Sequence, residues 1–299
     1  MSDFSTLAGN ATKITARGFG WTHAGRKQPA LADLDLVIEP GERVLLCGDS
    51  GSGKSTLLAA MAGVLGSDEE GTRTGEILLE DSTGMVEEPG RSIPVGLVLQ
   101  DPDSQVISAR VGDDIAFGCE NLAYPREEIW RRVAAAKDLV GPFVPLDFPT
   151  ERLSGGQKQR LALAGVIAMG AGVVLLDEPT ANLDPDGARD VVRAVSALVE
   201  ETGATLVVVE HQHAAWKGVL ERAVELDHGR IVSDGPFAEV AQRRQVEGLP
   251  QARRLGEAEL AGRRAALWST DLVTRYGPPR TISPVSYTHL RAHETGRNL

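Results

Sequence analysis

Short, uninterrupted apolar runs recur along the chain and are separated by segments of helical periodicity. Four runs have the length of a buried strand, and they span Arg43–Cys47, Val95–Leu99, Val173–Leu176 and Leu206–Val209. Such runs are typical of parallel strands that are buried on both faces. Because strands alternate with helices, the sequence predicts βαβ units and an α/β fold with a mainly parallel sheet.

Two further regions are predicted in addition to the parallel sheet. Antiparallel strands are predicted ahead of the parallel sheet, near Thr12–Arg17 and Leu34–Ile38. Between Asp101 and Ala164 the pattern is helical with almost no strand signal, and Pro125 and Pro145 mark turns within it. The sequence therefore predicts an N-terminal antiparallel β portion and an inserted helical subdomain at about residues 101–164.

Composition is that of a soluble globular protein. Of the 299 residues, 42% are hydrophobic and 24% are charged, which suffices for one large α/β domain and a smaller piece. The formal net charge of −11 repels phosphate backbones, so no nucleic-acid partner is expected. Cys47 and Cys119 lack metal-ligand spacing and are predicted to be reduced, structural thiols of a cytosolic protein.

The longest uncharged run is too short to cross a membrane. It extends from Leu161 to Leu176 and breaks at Gly170–Gly172, whereas a spanning helix needs about 20 residues. We expect a buried helix followed by a buried strand, so that any membrane role would come through a partner.

A phosphate-binding loop follows the first apolar run. Residues 48–55 fit the pattern G-x-x-x-x-G-K-[ST], directly before a helical segment predicted over Thr56–Leu65. Backbone N–H groups and the helix N-terminus bind phosphates, Lys54 reaches the β- and γ-phosphates, and Ser55 binds Mg²⁺. A ligand-free Gly/Ser turn is the alternative, which the strand-loop-helix context disfavours. The predicted nucleotide-binding residues here are Gly48, Asp49, Ser50, Gly51, Ser52, Gly53, Lys54, Ser55 and Thr56.

Two acidic residues end the third apolar run. In P-loop NTPases a carboxylate at this strand end holds Mg²⁺, which assigns Asp177 to the metal. Glu178 is then placed to accept a proton from, or orient, the water that attacks the γ-phosphate. Alone, the pair would favour a solvated strand end, but the upstream loop favours the catalytic interpretation.

The segment Leu153-Ser-Gly-Gly-Gln157 resembles the signature motif of the ATP-binding cassette (ABC) ATPases. Serine and two glycines at a helix start offer a hydroxyl and free N–H groups to an anion. The resemblance implies that Ser154, Gly155, Gly156 and Gln157 contact an ATP bound by the opposite monomer, so that two cassettes enclose two ATP molecules. A helix cap without a ligand is the alternative.

Other positions match the same family. Gln100 resembles the Q-loop glutamine, Asp184 belongs to a D-loop-like Asn-Leu-Asp, and His211 resembles the switch histidine. Trp21 occupies the place of the aromatic residue that stacks on adenine, with a core tryptophan as the alternative.

The resemblance covers residues 12–245 and departs from the family at no catalytic position, so it implies an active ATPase that uses ATP and Mg²⁺. Its catalytic residues would be Glu178, His211 and Gln100, and its metal-site residues Ser55, Gln100 and Asp177.

Within this family, Val95–Ser108, Val111–Gly118 and Glu210–Gln212 are similar to the energy-coupling-factor and cobalt-type importer ATPases. The resemblance implies a cassette dimer at the cytoplasmic face of the membrane, bound to a transmembrane scaffold subunit near Gln100–Ser108. A separate substrate-capture subunit would select a vitamin or transition-metal ion.

Three alternatives remain open at the level of sequence. The first is an exporter cassette, although such cassettes are often fused to a membrane domain. The second is a soluble cassette acting on ribosomes or DNA, although such cassettes usually have basic arms or coiled-coil inserts. A nucleotide-sensing module without activity would be expected to lose Glu178 or His211.

The predicted domain boundaries follow from these motifs. The cassette is predicted over residues 1–245, with a helix around Phe237–Arg244, and a linker over 246–266. Residues 267–283 resemble the start of a second cassette, with Tyr276 in the place of Trp21, which predicts a truncated tandem protein. Residues 284–299 have no cassette pattern and look like translated adaptor or vector sequence.

Overall fold

The structure is a computed structural model that describes residues 11–66, 70–141, 144–181, 183–211 and 213–247. The predicted linker beyond residue 247, the second-cassette segment and the tail lie outside the described residues, as do Asn182 and Gln212. The chain divides into two units, and the first, Met1–Val246, contains nearly all of the described residues.

Strands and helices alternate along the described chain much as the hydrophobic pattern predicts. The strands are β1 (Lys13–His23), β2 (Leu31–Ile38), β3 (Arg43–Gly48), β4 (Gly71–Glu80), β5 (Val86–Glu87), β6 (Val95–Val98), β7 (Val173–Asp177), β8 (Thr205–Val209), β9 (Arg222–Asp227) and β10 (Arg230–Pro236). The helices are α1 (Lys54–Ala62), α2 (Val111–Asn121), α3 (Arg126–Leu139), α4 (Gly155–Met169), α5 (Pro185–Thr202) and α6 (Phe237–Glu247), with short 3₁₀ helices at Pro102–Gln105, Thr150–Arg152 and His213–Trp216.

The larger sheet provides the framework of the fold. Its strand order is β10-β9-β3-β8-β7-β6, and all neighbouring pairs are parallel except β10 with β9. Along β3, Leu45 and Cys47 face one hydrophobic core while Val44 and Leu46 face the other. Burial on both faces explains why these strands have uninterrupted apolar sequences.

The smaller sheet is antiparallel, with the order β2-β1-β4-β5. A register shift between Ala16 and Phe19, where Gly18 has φ of 52°, lets Ile14, Ala16, Phe19 and Trp21 all point into the same core. A bulge of this kind changes which sequence positions face inward. Helix α1 packs in this core, between the two sheets, through Leu57, Leu58 and Met61.

The helical insertion lies between β6 and β7. Helices α2 and α3 both pack against α4, and the three share one core with the other face of the large sheet. The predicted fold class is therefore confirmed: a P-loop NTPase core with a mainly parallel sheet, an antiparallel N-terminal portion and inserted helices. Among the described helices, none has both the length and the apolar character needed to span a bilayer.

Candidate functional site

Parallel strands bring the predicted catalytic residues to one edge of the large sheet. In the spatial order β3, β8, β7, β6, the residues beyond the carboxyl ends are the Gly48–Ser55 loop, His211, Glu178 and Gln100. The registers Leu46↔Val209, Asp177↔Val209 and Val98↔Leu176 keep these strand ends level. Ligands of open α/β sheets bind at this edge.

The loop between β3 and α1 has the close backbone packing that its glycines allow. Gly48 has φ of 146°, and a Cβ there would lie 2.2 Å from the Leu226 carbonyl oxygen. Gly53, the N-cap of α1, has φ of 103°, and a Cβ would lie 2.6 Å from the Ala30 oxygen. The Gly229 N–H donates to the carbonyl of the buried Ser52 at 3.0 Å. These contacts fix the loop conformation against its neighbours.

Lys54 is 6% exposed and begins α1. Its Nζ donates to the carbonyl oxygens of Gly48 and Asp49 at 2.9 and 2.8 Å. The ammonium group therefore lies directly over the loop, where it adds positive charge to the helix N-terminus.

A cavity of about 830 Å³, here called the P-loop cavity, opens on this loop. Its volume suits a nucleotide-sized ligand. Eight of the residues predicted from sequence line it: Ser50, Gly51, Gly53, Lys54, Ser55, Thr56, Glu178 and His211. Sequence reasoning missed the wall formed by the β1–β2 connection, to which His23, Arg26, Lys27, Gln28, Pro29 and Ala30 belong.

Glu178 is held between the other two predicted catalytic side chains. Gln100 Nε2 donates to Glu178 Oε2 at 3.0 Å, and His211 Nε2 lies 3.1 Å from Glu178 Oε1. The backbone of Glu178 has φ of 48°, a conformation that is costly for a residue with a side chain. The fold thus places this carboxylate at the cavity at some cost in backbone energy.

Asp177 contacts Ser55, so the two predicted metal-site residues on β7 and α1 meet. Burial raises the pKa of the Asp177 carboxyl, while the Ser55 hydroxyl that donates to it acts in the opposite direction. Asp177 and Gln100 also line a second cavity of about 530 Å³, the Gln100 cavity, together with Gly155 and Leu183.

Buried Glu210 connects the ends of β7 and β8. It is 4% exposed, it hydrogen-bonds the Thr180 hydroxyl, and its Oε1 accepts from the His211 N–H at 2.8 Å. The Glu210 carboxylate thereby fixes the backbone that presents His211. The sequence signal for this residue is a carboxylate directly after an apolar strand.

The signature segment forms a helix cap. Ser154 N donates to Gln157 Oε1 at 2.9 Å and Gln157 N donates to Ser154 Oγ at 3.4 Å, a capping box at the start of α4. None of the described residues 154–157 lines the P-loop cavity. Asp184 caps α5 by accepting from Gly187 N at 2.7 Å. Within one chain, the signature segment therefore lies outside the P-loop cavity, and its Gly155 lines the Gln100 cavity beside Asp177.

Trp21, the residue predicted to stack on adenine, does not line the P-loop cavity. It is 4% exposed, and its ring packs so closely on β4 that a Cβ on Gly71 would lie 2.3 Å from the Trp21 ring. The ring belongs to the core of the small sheet, and Trp21 also lines a separate cavity of about 450 Å³ together with Phe19 and Arg73.

The described residues contain no group of three or more His, Cys, Asp or Glu side chains that could hold a metal by itself. Mg²⁺ is commonly bound through one or two carboxylates together with substrate phosphates. The meeting of the Ser55 hydroxyl with the Asp177 carboxylate fits a metal site of that kind.

Comparisons with known proteins agree with this geometry. The sequence model of the ABC transporter family matches residues 31–181. The energy-coupling factor transporter ATP-binding protein EcfA1 of Caldanaerobacter subterraneus subsp. tengcongensis is 38% identical over 74% of this chain and 78% of that protein. The structure of CbiO1 from Clostridium perfringens, part of the ABC transporter complex CbiONQ, matches with a TM-score of 0.66 at 31% identity, covering 80% of this chain and 93% of that one.

Some relatives are much longer. A Methanosarcina acetivorans protein, provisionally named an ABC transporter ATP-binding protein, is 39% identical over 75% of this chain but only 35% of its own length. The chain thus spans about a third of that relative. The family match and the identities nevertheless agree, and the chain belongs to the ABC transporter family, of which it contains the nucleotide-binding domain.

Proposed function

We propose that the chain is the ATP-hydrolysing subunit of an importer of the energy-coupling-factor type. The observation that carries this proposal is that Glu178, which hydrogen-bonds Gln100 and His211, lines the P-loop cavity together with Lys54. A carboxylate next to a phosphate-binding loop is the arrangement that water attack on a γ-phosphate requires.

Phosphate binding is the role of the loop and of α1. The backbone N–H groups of residues 50–56 and the Lys54 ammonium bind the phosphates of ATP, while Ser55 and Asp177 hold Mg²⁺. When bound, Mg²⁺ offsets the charge that develops on the phosphate oxygens.

Glu178 acts as the general base on the attacking water. Its hydrogen bonds with Gln100 and His211 orient the carboxylate. Because Gln100 begins the segment that leads into the helical insertion, a shift of that segment would change the position of the base.

A second cassette completes the site. Ser154 and Gly155 lie outside the P-loop cavity of their own chain, and an exposed helix N-terminus with two glycines is suited to an anion supplied by another molecule. We infer that the signature segment of one cassette contacts ATP held by the other, and that Asp184 lies near the same contact.

The assignment to the importer class rests on similarity to known transporter proteins. EcfA1 is named for energy-coupling factor transport, and CbiO1 is described as part of a multi-subunit transporter complex. By this similarity the chain binds a transmembrane scaffold at the cytoplasmic face of the membrane, and a separate substrate-capture subunit selects a vitamin or metal ion. An exporter or a soluble cassette is the competing assignment.

The test compares two substitutions in the presence of ATP and Mg²⁺. Glu178→Gln should retain ATP affinity and lower turnover by roughly 10²–10⁴-fold, the usual contribution of a general base. Lys54→Ala should weaken both ATP affinity and turnover, because it removes a phosphate ligand. Glu201→Gln, an exposed change on α5, is the matched control and should alter neither. Equal loss of ATP affinity in the Glu178 and Lys54 variants would contradict the assignment.

A further inference from the structure

A buried carboxylate that the proposed mechanism does not use lies behind the catalytic residues. Glu210 is 4% exposed and directly follows β8. Its Oε2 accepts from the Thr180 hydroxyl, and its Oε1 accepts from the backbone N–H of His211 at 2.8 Å. A buried carboxylate is costly unless it is hydrogen-bonded, and an apolar side chain of similar size would avoid that cost. The presence of a carboxylate here therefore points to a role other than stability.

The contact with Thr180 holds the turn that contains the general base. Glu178 has φ of 48°, and such a conformation persists only where the neighbouring structure holds it in place. The Glu178 N–H donates to the Val209 carbonyl at 2.9 Å. Thr180, two residues later and 6% exposed, donates to Glu210. The end of β8 thus holds the chain at Glu178 itself and again just after it.

The contact with the His211 N–H holds the histidine. A single carboxylate is therefore bonded both to the backbone of His211 and to the turn that follows Glu178. Because His211 Nε2 lies 3.1 Å from Glu178 Oε1, the spacing of these two groups depends on where Glu210 holds each backbone. Of these described residues, Glu178 and His211 line the P-loop cavity but Glu210 does not.

We propose that Glu210 is a positioning residue for ATP hydrolysis, which sets the geometry of Glu178 and His211 from the core. The inference rests on the proposed ATPase function. Hydrogen bonding and not charge is the basis of this role. In Glu210→Gln the amide oxygen can accept from the His211 N–H, and the NH₂ group can donate to the Thr180 oxygen, since a hydroxyl also accepts. In Glu210→Leu both contacts are lost.

The experiment measures kcat and KM of the full chain for ATP in the presence of Mg²⁺. Glu210→Leu should lower kcat by roughly 10- to 100-fold, because a small misplacement of catalytic groups is enough for such a loss. Its KM should stay unchanged, since the phosphate loop and Lys54 are unaltered. Glu210→Gln should retain most of the wild-type kcat. Thr180→Val removes one of the two contacts and should lower kcat by less than Glu210→Leu does.

Two further variants separate positioning from folding. Thr202→Val makes the same change at a threonine that is 8% exposed at the end of α5, and it should leave kcat unchanged. The double variant with Glu210→Leu and Thr180→Val leaves no unpaired hydroxyl opposite the leucine. It should therefore melt no lower than Glu210→Leu but turn over ATP as slowly.

The outcomes distinguish this inference from the proposed function. A wild type without Mg²⁺-dependent ATP turnover would overturn both. With an active wild type, the inference alone is overturned if a folded Glu210→Leu has the wild-type kcat, or if Glu210→Gln is as slow as Glu210→Leu. Should Glu210→Leu fail to fold, Thr180→Val decides, because it must lower kcat while Thr202→Val must not.

Discussion

Asp177 combines a cost in stability with a proposed role at the metal. Burial raises the pKa of its carboxyl, so the ionised form is less favourable in the folded chain than in the unfolded one. A raised carboxyl pKa in the folded state lowers stability above that pKa and has no effect below the unfolded value of about 3.9. This cost in stability accompanies a carboxylate at the proposed Mg²⁺ site.

Asp177→Asn should therefore raise the melting temperature at pH 7 to 8 while abolishing Mg²⁺-dependent turnover. The gain in melting temperature should shrink as the pH falls through the Asp177 pKa, because the wild-type carboxyl becomes protonated and its cost disappears. Thermal unfolding measured from pH 8 down to the unfolded carboxyl pKa of about 3.9 covers the whole range in which the gain should shrink. Asp33→Asn, at a side chain that is 76% exposed, is the control and should show no such trend. A wild type that is more stable than Asp177→Asn at pH 8 would oppose this account.

The different exposure of the Trp21 and His23 side chains could not be predicted from the sequence. Both lie on β1 two positions apart, so strand periodicity gives them the same face. Their different exposure depends on β4, whose first residues pair with the end of β1 and cover the tryptophan but not the histidine. The sequence predicted Trp21 at the nucleotide site, but the pairing of β1 with β4 buries its side chain outside the P-loop cavity.

Among the elements, the apolar parallel strands were predictable and several polar ones were not. The strands β3, β6, β7 and β8 fall within one or two residues of the predicted runs. Strand β4 has the sequence Gly-Thr-Arg-Thr-Gly-Glu before its apolar end, and β10 alternates exposed and partly exposed residues. Neither is buried on both faces, so neither has the uninterrupted apolar run by which the other strands were found.

Helix boundaries departed from expectation for local reasons. Helix α1 begins at Lys54, because Gly53 is its N-cap, and ends at Ala62, where Gly63 adopts a left-handed conformation with φ of 72°. The predicted helix Thr56–Leu65 was based on the apolar pattern, and that pattern does not show where a glycine ends a helix.

The segment after β6 offers a surface for the proposed scaffold subunit. Ile107 is 60% exposed and Leu99 is 39% exposed, beside the Gln100 cavity. Asp103 is poorly suited to mutation, since its carboxylate is paired with Lys158 of α4. Asp101 accepts from Asp103 N at 3.1 Å and so stabilises the 3₁₀ helix. The exposed isoleucine is therefore the better probe of this surface.

Ile107→Asp should reduce co-purification with a co-expressed energy-coupling-factor transmembrane subunit and leave ATP affinity unchanged, because a charge cannot be buried in an apolar contact without a large desolvation cost. Val64→Asp is the matched control: Val64 is 62% exposed but follows α1, away from the segment after β6. An equal yield of complex with both variants would argue against docking at this surface.

For the whole molecule, the position of the signature segment outside the P-loop cavity is the feature that bears on the proposed assembly. The helical insertion between β6 and β7 places the signature segment on α4, while the phosphate loop precedes α1 in the sheet domain. The sequence predicted both motifs, and only the resemblance to ABC ATPases implied that the signature segment of one cassette meets the phosphate loop of another. Complementation between two inactive variants tests that implication.

Lys54→Ala disables the phosphate loop, and Ser154→Arg places a bulky side chain at the start of α4 while leaving the phosphate loop unaltered. The decisive measurement is the ATPase rate of the two variants alone and after mixing in equal amounts. If each site combines the loop of one chain with the signature segment of another, the mixture should recover about one quarter of wild-type turnover, since half of randomly paired dimers are mixed and one of their two sites is intact. A mixture no more active than the average of the two separate variants would contradict the shared site on which this account depends.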